Sequence, residues 1–370
     1  MFKTDIIFSG YYGMKNTGDD AFVEIANWGS SKFWGVESKR FLAKEGLLPK
    51  TLEPVLGYPF SIPKTYLLQR KWLLHQTKYS VLAGGSVFND VQPGSIKDVT
   101  LRMKVRHKRL KLGAIGVSIG PFKSVKKENE IIEYLKHMDF LSVRDKRSYE
   151  YASSLNLEYN PVESFDIAAM LPEIYNFSKL PKEKNSNIIG ISFNNEESHL
   201  INGDLVNEKR RRTFIISLLR YLSNHGNYEF RFFVFNANPV RGDEAVTNEI
   251  IQKSQIVNYE IFQYQRSTIN TWNALRECAV MISSRLHASI FACFADVPFF
   301  SIEYHKKCTD FLKDVGQDES YLWGDGEIDF VKAAQSVLSI LQNDRTYIPP
   351  AYKEEMIEKA RLNFTAFKIR

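Results

Sequence analysis

Residues 281–300, MISSRLHASIFACFADVPFF, decide how the chain is read. The apolar run 279–282 meets Ser283-Ser284, then Arg285-Leu286-His287 and an apolar segment to Ala295. Asp296-Val297-Pro298 breaks it before a second apolar run, 299–302. This is the pattern of strand, turn, helix, turn and strand, one βαβ unit of a parallel sheet. Ser283 or Ser284 is a natural N-cap, which puts Arg285 and His287 in the first helical turn, at the carboxyl end of the preceding strand. Ligands of open α/β sheets collect there. A helix start offers N–H groups and the positive end of a dipole, so it attracts anions. Arg285 adds a planar fork suited to phosphate or carboxylate, and His287 a side chain that titrates near neutral pH. The stretch therefore predicts an anion site beside a proton donor. The plainer alternative is capping serines, a solvated arginine and a packed histidine, and spacing alone does not separate the two.

At 370 residues the chain is too long for one compact core and suits two domains. Its 44 % hydrophobic and 25 % charged residues are ordinary for a soluble globular protein. No apolar run is long enough for a membrane span, and the first residues, MFKTD, lack a signal-peptide pattern. The expectation is a cytoplasmic protein, with contact at the inner face of the membrane left open. Cys278, Cys293 and Cys308 fit no common zinc spacing, and an odd count argues against a disulfide framework; they read as reduced thiols, two of them buried. The net charge of +6 is a mild bias toward anionic small molecules, a lipid-linked diphosphate or an acidic membrane surface. No nucleic-acid recognition module is visible.

The same βα rhythm runs through both halves. Residues 4–8 form a strand, SGYYGMKNTGDD (9–20) a glycine-bearing loop, and 21–33 a helix. The loop is not GxGxxG and has no Walker lysine. Asp19 and Asp20 suit a helix start but repel phosphate, so the loop fits hydroxyls better than a nucleotide diphosphate; the alternative is a β-α turn with an Asp cap. Residues 35–77, punctuated by Pro49, Pro54, Pro59 and Pro63, read as less regular. Strand 79–83 runs into Gly84-Gly85-Ser86 and Asn89-Asp90. Residues 96–112 read as a basic, solvated surface helix, with a membrane-facing role as the lesser alternative. Strand 140–143 is followed by Arg144, a second cation at a strand end, and Asp145, a cap or first-turn acid; Asp166 follows another short strand. Residues 172–187 read as an interdomain linker. The second half has strands 187–193, 230–235 and, weakly, 256–259, with a polar loop at 196–207. Lys306 and Lys307 lie just past strand 299–302, and the last helix is 352–367, after Pro349-Pro350. The expected domains are 1–178, 186–345, and a C-terminal helix in 346–370 that can pack back on the first domain.

Five segments in order resemble the polysaccharide pyruvyl transferase family: GYYGMKNTGDDA (10–21), Ala83-Gly84-Gly85-Ser86 with Asn89-Asp90, Ser142-Val143-Arg144-Asp145, Ser284-Arg285-Leu286-His287-Ala288, and SIEYHKK (301–307) running into Phe311-Leu312. The resemblance covers roughly residues 5–320. It implies an α/β fold of two Rossmann-like domains facing across a cleft, GT-B-like, with parallel sheets and helices on both faces. It implies phosphoenolpyruvate as co-substrate, a sugar acceptor that can be lipid-linked, and ketal formation with release of phosphate. By the same resemblance His287 is catalytic and Arg144, Arg285 and Lys307 bind phosphoenolpyruvate; the helix start at Ser284 is expected to complete that pocket, and Arg285 to share in catalysis. The pattern of tyrosine, two variable residues and lysine favours Lys307 over Lys306. Asn16, Gly18, Asp19, Asp20, Gly84, Gly85 and Asn89 are the implied acceptor residues. No cofactor and no metal is expected. The chain departs from the family at Gly84-Gly85-Ser86 and in lacking a proline after Asp166. Two other functions fit the residues less well. One is a GT-B glycosyltransferase using a nucleotide sugar, with Glu303 as its ribose-binding candidate; the other is a non-catalytic sugar-binding protein.

Overall fold

A computed structural model of the chain describes residues 4–106, 109–175, 187–194, 205–324, 329–342 and 347–369. By their contacts the residues form two compact units. Unit 1 comprises Met1–Met14, Asp19–Ile174 and Glu354–Arg370; unit 2 comprises Lys15–Gly18 and Tyr175–Lys353.

Unit 1 follows the order β1 (Ile6–Ser9), α1 (Thr17–Trp34), β2 (Lys39–Phe41), α2 (Tyr66–Gln76), β3 (Tyr79–Phe88), α3 (Ile96–Arg106), β4 (Lys111–Ile119), α4 (Val125–Lys136), β5 (Phe140–Val143), α5 (Lys146–Ser154), β6 (Val162–Glu163) and α6 (Leu171–Tyr175). Among the described residues its strands make one parallel sheet in the order β2-β1-β3-β4-β5-β6. The strands are near-continuous apolar runs because both faces are covered. Leu82, Leu112, Ala114, Leu141 and Val143 pack with Ile131 and Leu135 of α4 on one face. On the other, Trp34 of α1 stacks on Phe8 and meets Phe140 edge-on.

Unit 2 follows the order β7 (Ile188–Ser192), α7 (Leu205–Asn224), β8 (Glu229–Phe233), α8 (Glu244–Ser254), β9 (Tyr259–Phe262), α9 (Thr268–Arg276), β10 (Val280–Ser283), α10 (Leu286–Phe294), β11 (Phe299–Ile302), α11 (Lys306–Val315), β12 (Leu322–Trp323) and α12 (Phe330–Leu341). Its described strands form a parallel sheet in the order β12-β11-β10-β7-β8-β9. Val280 and Ile282 of β10 join Leu218, Leu219, Ile250 and Val337 on the α7-α8-α12 face. On the opposite face Phe291 of α10 packs against Phe235 and Trp272. This is the doubly wound arrangement, with strand order reversing between β7 and β10; in unit 1 it reverses between β1 and β3. At such switch points crevices open beyond the carboxyl ends of the strands.

The last helix, α13 (Lys353–Thr365), belongs to unit 1 beyond its first residue. Its Asn363 is fully buried. The side-chain oxygen accepts from the Ser142 and Ser164 hydroxyls at 2.7 and 3.0 Å, and the amide donates to Phe165 O and Ala360 O at 2.9 and 2.8 Å. Trp34 donates its indole N–H to Phe364 O at 2.8 Å.

Several expectations need correction. The basic helix ends at Arg106 rather than near 112, and β4 starts at Lys111, because Leu110 and Leu112 are needed in the core. Within the less regular 35–77 lie two elements the sequence did not locate, β2 and α2, with Leu73 and Leu74 of α2 buried. The weak strand at 256–259 is β9, at Tyr259–Phe262. All three cysteines are buried, not two. Most of the expected linker 172–187 and of the polar loop 196–207 lies outside the described residues.

Candidate functional site

In unit 2 the candidate residues gather where β7 and β10 end. The turn after β10 is pinned by three polar side chains. The Ser283 hydroxyl donates to Arg285 O at 2.8 Å and accepts from Arg285 N at 2.9 Å. The Ser284 hydroxyl donates to Asn194 Oδ1 at 2.8 Å and accepts from Asn194 N at 2.9 Å. The Ser284 amide donates to Ser192 O at 2.9 Å. Neither serine therefore caps α10. The cap position is Arg285, with extended backbone and no side-chain capping bond, and the helix proper starts at Leu286. Arg285 thus precedes the first turn, and the serines hold it there.

The Arg285 guanidinium is gripped by Asp243, which directly precedes α8 and is completely buried. Nε donates to both carboxylate oxygens at 3.0 and 3.1 Å, and Nη2 donates to Oδ1. Asp243 also accepts from Asn236 N at 2.9 Å. Burial pushes the Asp243 carboxyl up, opposed by the charge and hydrogen bonds of Arg285. The fork is thereby fixed in plane and direction, and its charge is partly offset. Asp243 went unnoticed in the sequence, where an aspartate before a helix reads as a cap.

The loop 15–18 is part of this arrangement. Thr17 N donates to Phe235 O at 2.8 Å and Ala237 N to Lys15 O at 2.9 Å. Asn16 and Asn236 form an antiparallel bridge. Asn16 Oδ1 accepts from Gly18 N at 2.9 Å. These bonds place Asn16 and Gly18 in unit 2, apart from the first-domain residues with which the sequence grouped them. A Cβ at Gly18 would lie 2.3 Å from Nδ1 of His287, so the imidazole rests directly on the glycine. One hydrogen-bonded run, Lys15–Gly18 to Asn236 to Asp243 to Arg285, thus ends two residues before the histidine that touches Gly18.

On the neighbouring strand, Lys307 stands in the first turn of α11, whose cap His305 accepts from Lys307 N at 3.2 Å. Lys307 is half-buried, whereas Lys306 is exposed and lines a groove with Thr309, Asp310 and Lys313. Glu303, the ribose-binding candidate, accepts from the Thr309 hydroxyl. Ser192, Ser283 and Ser301 align in register across β7, β10 and β11, all buried, and give this sheet edge a polar row.

In unit 1, Arg144 follows β5 and is 9 % exposed. It donates to Asp166 Oδ2 at 2.5 Å, Ser118 Oγ at 2.8 Å and Ser86 Oγ at 3.4 Å. Asp166 also holds Ala168 N at 2.9 Å. Arg144 is therefore a buried, paired cation. Asp145 is the cap of α5, accepting from Ser148 N. Gly84 and Gly85 have φ of +76° and +84°, in the left-handed region, where L side chains are strained. At Gly84 a Cβ would also strike the Phe22 ring at 2.3 Å; at Gly85 it would lie 4.0 Å from Asp19 Oδ1. Tyr12 donates to Ala83 O at 2.8 Å, and burial together with the negative Asp19 keeps its phenol protonated. Asp20 is buried, and Asn89 is exposed. Asp19, Gly85, Ser86 and Arg144 thus lie around the ends of β1, β3 and β5.

The fold and these two strand-edge clusters define a protein built from two Rossmann-like units, as in GT-B-like enzymes. Solved structures agree in fold. A putative UDP-N-acetylglucosamine 2-epimerase from Listeria monocytogenes superposes with a TM-score of 0.61 at 9 % identity, covering 98 % of this chain and 93 % of its own. The S. aureus MnaA–UDP structure gives 0.60 at 10 % identity, with 99 % and 98 % covered. A glycosyltransferase from Rickettsia africae gives 0.51 at 10 % identity, with 98 % and 94 % covered. None of the curated proteins matches the sequence. The family model for polysaccharide pyruvyl transferase matches residues 16–306, and the chain belongs to that family. It is accordingly a transferase, and the family implies a sugar acceptor.

Proposed function

We propose that the protein transfers the pyruvyl group of phosphoenolpyruvate to a sugar of a polysaccharide or its precursor, forming a ketal and releasing phosphate. The observation that carries this reading is the Gly18–His287 contact beside the Asp243-locked Arg285, at the switch point of a chain in this family. A small donor with a carboxylate and a phosphate needs oriented cations. Arg285 and Lys307 are the proposed donor ligands in unit 2. Ser284 acts through the turn it holds, since its hydroxyl and amide are engaged with Asn194 and Ser192. In unit 1, Arg144 is the proposed anion-binding residue, and Asp19, Asp20, Gly84, Gly85 and Asn89 are the proposed acceptor residues; Asn16 is the acceptor candidate in unit 2.

In the proposed reaction His287 protonates the methylene carbon of the enol, which becomes a methyl group and leaves the central carbon electron-poor. One sugar hydroxyl adds to that carbon. The carbon–oxygen bond to phosphate breaks, and a second hydroxyl adds in its place. Of the two hydroxyl protons, one replaces the proton given by His287 and the other leaves with the phosphate, so the imidazole is restored.

Thermal denaturation with candidate donors tests the reading. Phosphoenolpyruvate should raise the midpoint while UDP- and GDP-sugars leave it unchanged. Stabilisation by a nucleotide sugar alone would replace this function with glycosyl transfer.

A further inference from the structure

Residues 47–72 of unit 1 carry a concentration of exposed apolar side chains. On the irregular approach to α2, Leu52, Leu56, Phe60 and Ile62 are 45–55 % exposed; on α2 itself, Leu67 and Leu68 are 61 % and 68 % exposed. Trp72, one turn beyond Leu68, is exposed as well. The helix is therefore apolar on two sides. Leu73 and Leu74 are buried with Ile7, Val99 and Met103, while Leu67, Leu68 and Trp72 share the outer arc with Lys71 and His75. The approach segment is fastened to the helix. Phe60 N donates to Gln69 Oε1 at 3.0 Å, Gln69 Nε2 donates to Phe60 O at 2.8 Å, and the Tyr58 and Tyr66 rings lie 5.1 Å apart. Phe60 and Ile62 are thus held beside α2, the helix that carries Leu67 and Leu68. Soluble monomers rarely leave extended apolar patches uncovered.

Beside the patch a groove of about 450 Å³ runs between α2 and α3. Leu67, Val99 and Met103 give it an apolar lining, and Arg70, Lys71, Arg102 and Arg106 a basic one. Its one carboxylate, Asp98, is tied to Arg102 at 2.6 Å and to Gly94 N at 2.6 Å. Residues 44–72 hold five lysines or arginines against two glutamates, and α3 adds Arg102 and Arg106 at the groove against Asp98.

We propose that this face docks on an anionic lipid bilayer. Its apolar side chains would enter the boundary between headgroups and acyl chains, and its basic side chains would meet the headgroup phosphates. The charge selects this occupant. A second copy of the chain in a two-fold contact would set the basic face against itself. No helix among the described residues is long and apolar enough to cross a membrane, so the contact is with the surface. The proposal rests on this face alone and stands apart from the chemistry proposed above.

Co-sedimentation of the full chain with vesicles is the test. Vesicles of phosphatidylcholine and phosphatidylglycerol in equal parts should carry the protein down and release it at high salt, while pure phosphatidylcholine vesicles should leave it in solution. Leu67→Glu with Leu68→Glu should abolish sedimentation without lowering the thermal midpoint, because both side chains are exposed. Lys71→Ala and Arg106→Ala should each weaken partitioning about fivefold. The proposal is overturned if the mixed vesicles do not bind, if neutral vesicles bind equally, or if the double glutamate variant still sediments. It is also overturned if that variant instead dissolves a dimer seen by ultracentrifugation.

Discussion

Where a side chain at residue 18 would stand, the His287 ring already lies. Gly18→Ala must push the imidazole aside, so it should lower kcat in the same direction as His287→Ala while the protein still folds. Removing a general acid typically costs about 10²–10⁴-fold, and single-turnover kinetics should show His287→Ala in that range. Wild-type turnover by either variant would leave the histidine without its assigned role. Arg285 calls for a paired test, because it is both a proposed donor ligand and the counter-ion of a buried carboxylate. Arg285→Ala strands Asp243 and should destabilise the fold by about 3–5 kcal/mol. Adding Asp243→Asn should restore most of that stability in chemical denaturation but none of the phosphoenolpyruvate affinity. Affinity recovered along with stability would make Arg285 purely structural. Arg285 and His287 were legible because a strand, a polar turn and a helix are local in sequence. Asp243 was not, since its work as counter-ion depends on contact with a residue far along the chain.

At the scale of elements, what local pattern could not show was which part of a helix or turn is buried. The serines before α10 looked like caps, but Asn194 and the Arg285 backbone occupy them. The prolines of 49–63 hid β2 and α2, which owe their place to buried Phe41, Leu73 and Leu74 rather than to periodicity. Basic α3 looked solvated throughout, yet Lys97 on it is buried, with its ammonium donating to Val87 O. Burial lowers the Lys97 ammonium to about 8, partly countered by Asp90. Between that value and its unfolded value the unfolded chain holds more protons, so stability from this group rises with pH across the window. Below it the folded protein carries the full cost of a buried charge, up to about 3 kcal/mol. Lys97→Met should therefore melt higher than wild type at pH 7, and the difference should shrink as pH rises through 8 toward 10. A difference constant with pH would show that Lys97 does not titrate as placed.

At the scale of the molecule, alternating strands and helices made two parallel sheets legible, and five ordered segments pointed to the family. What stayed hidden was the contribution of residues 15–18 to unit 2, one half of an exchange in which 354–370 join unit 1. That exchange is written in hydrogen bonds between distant residues. Asn363→Ala should cost unit 1 on the order of 3 kcal/mol, because it orphans buried partners on β5 and beyond it. Denaturant melting indistinguishable from wild type would contradict the described network. Product mass reports most directly on the whole enzyme. Incubated with phosphoenolpyruvate and candidate sugar acceptors, it should yield a product heavier by one pyruvate less one water, with one phosphate released per product and neither formed by His287→Ala. If no acceptor gains that mass and a nucleotide sugar instead donates its sugar, pyruvyl transfer is not this chain's reaction.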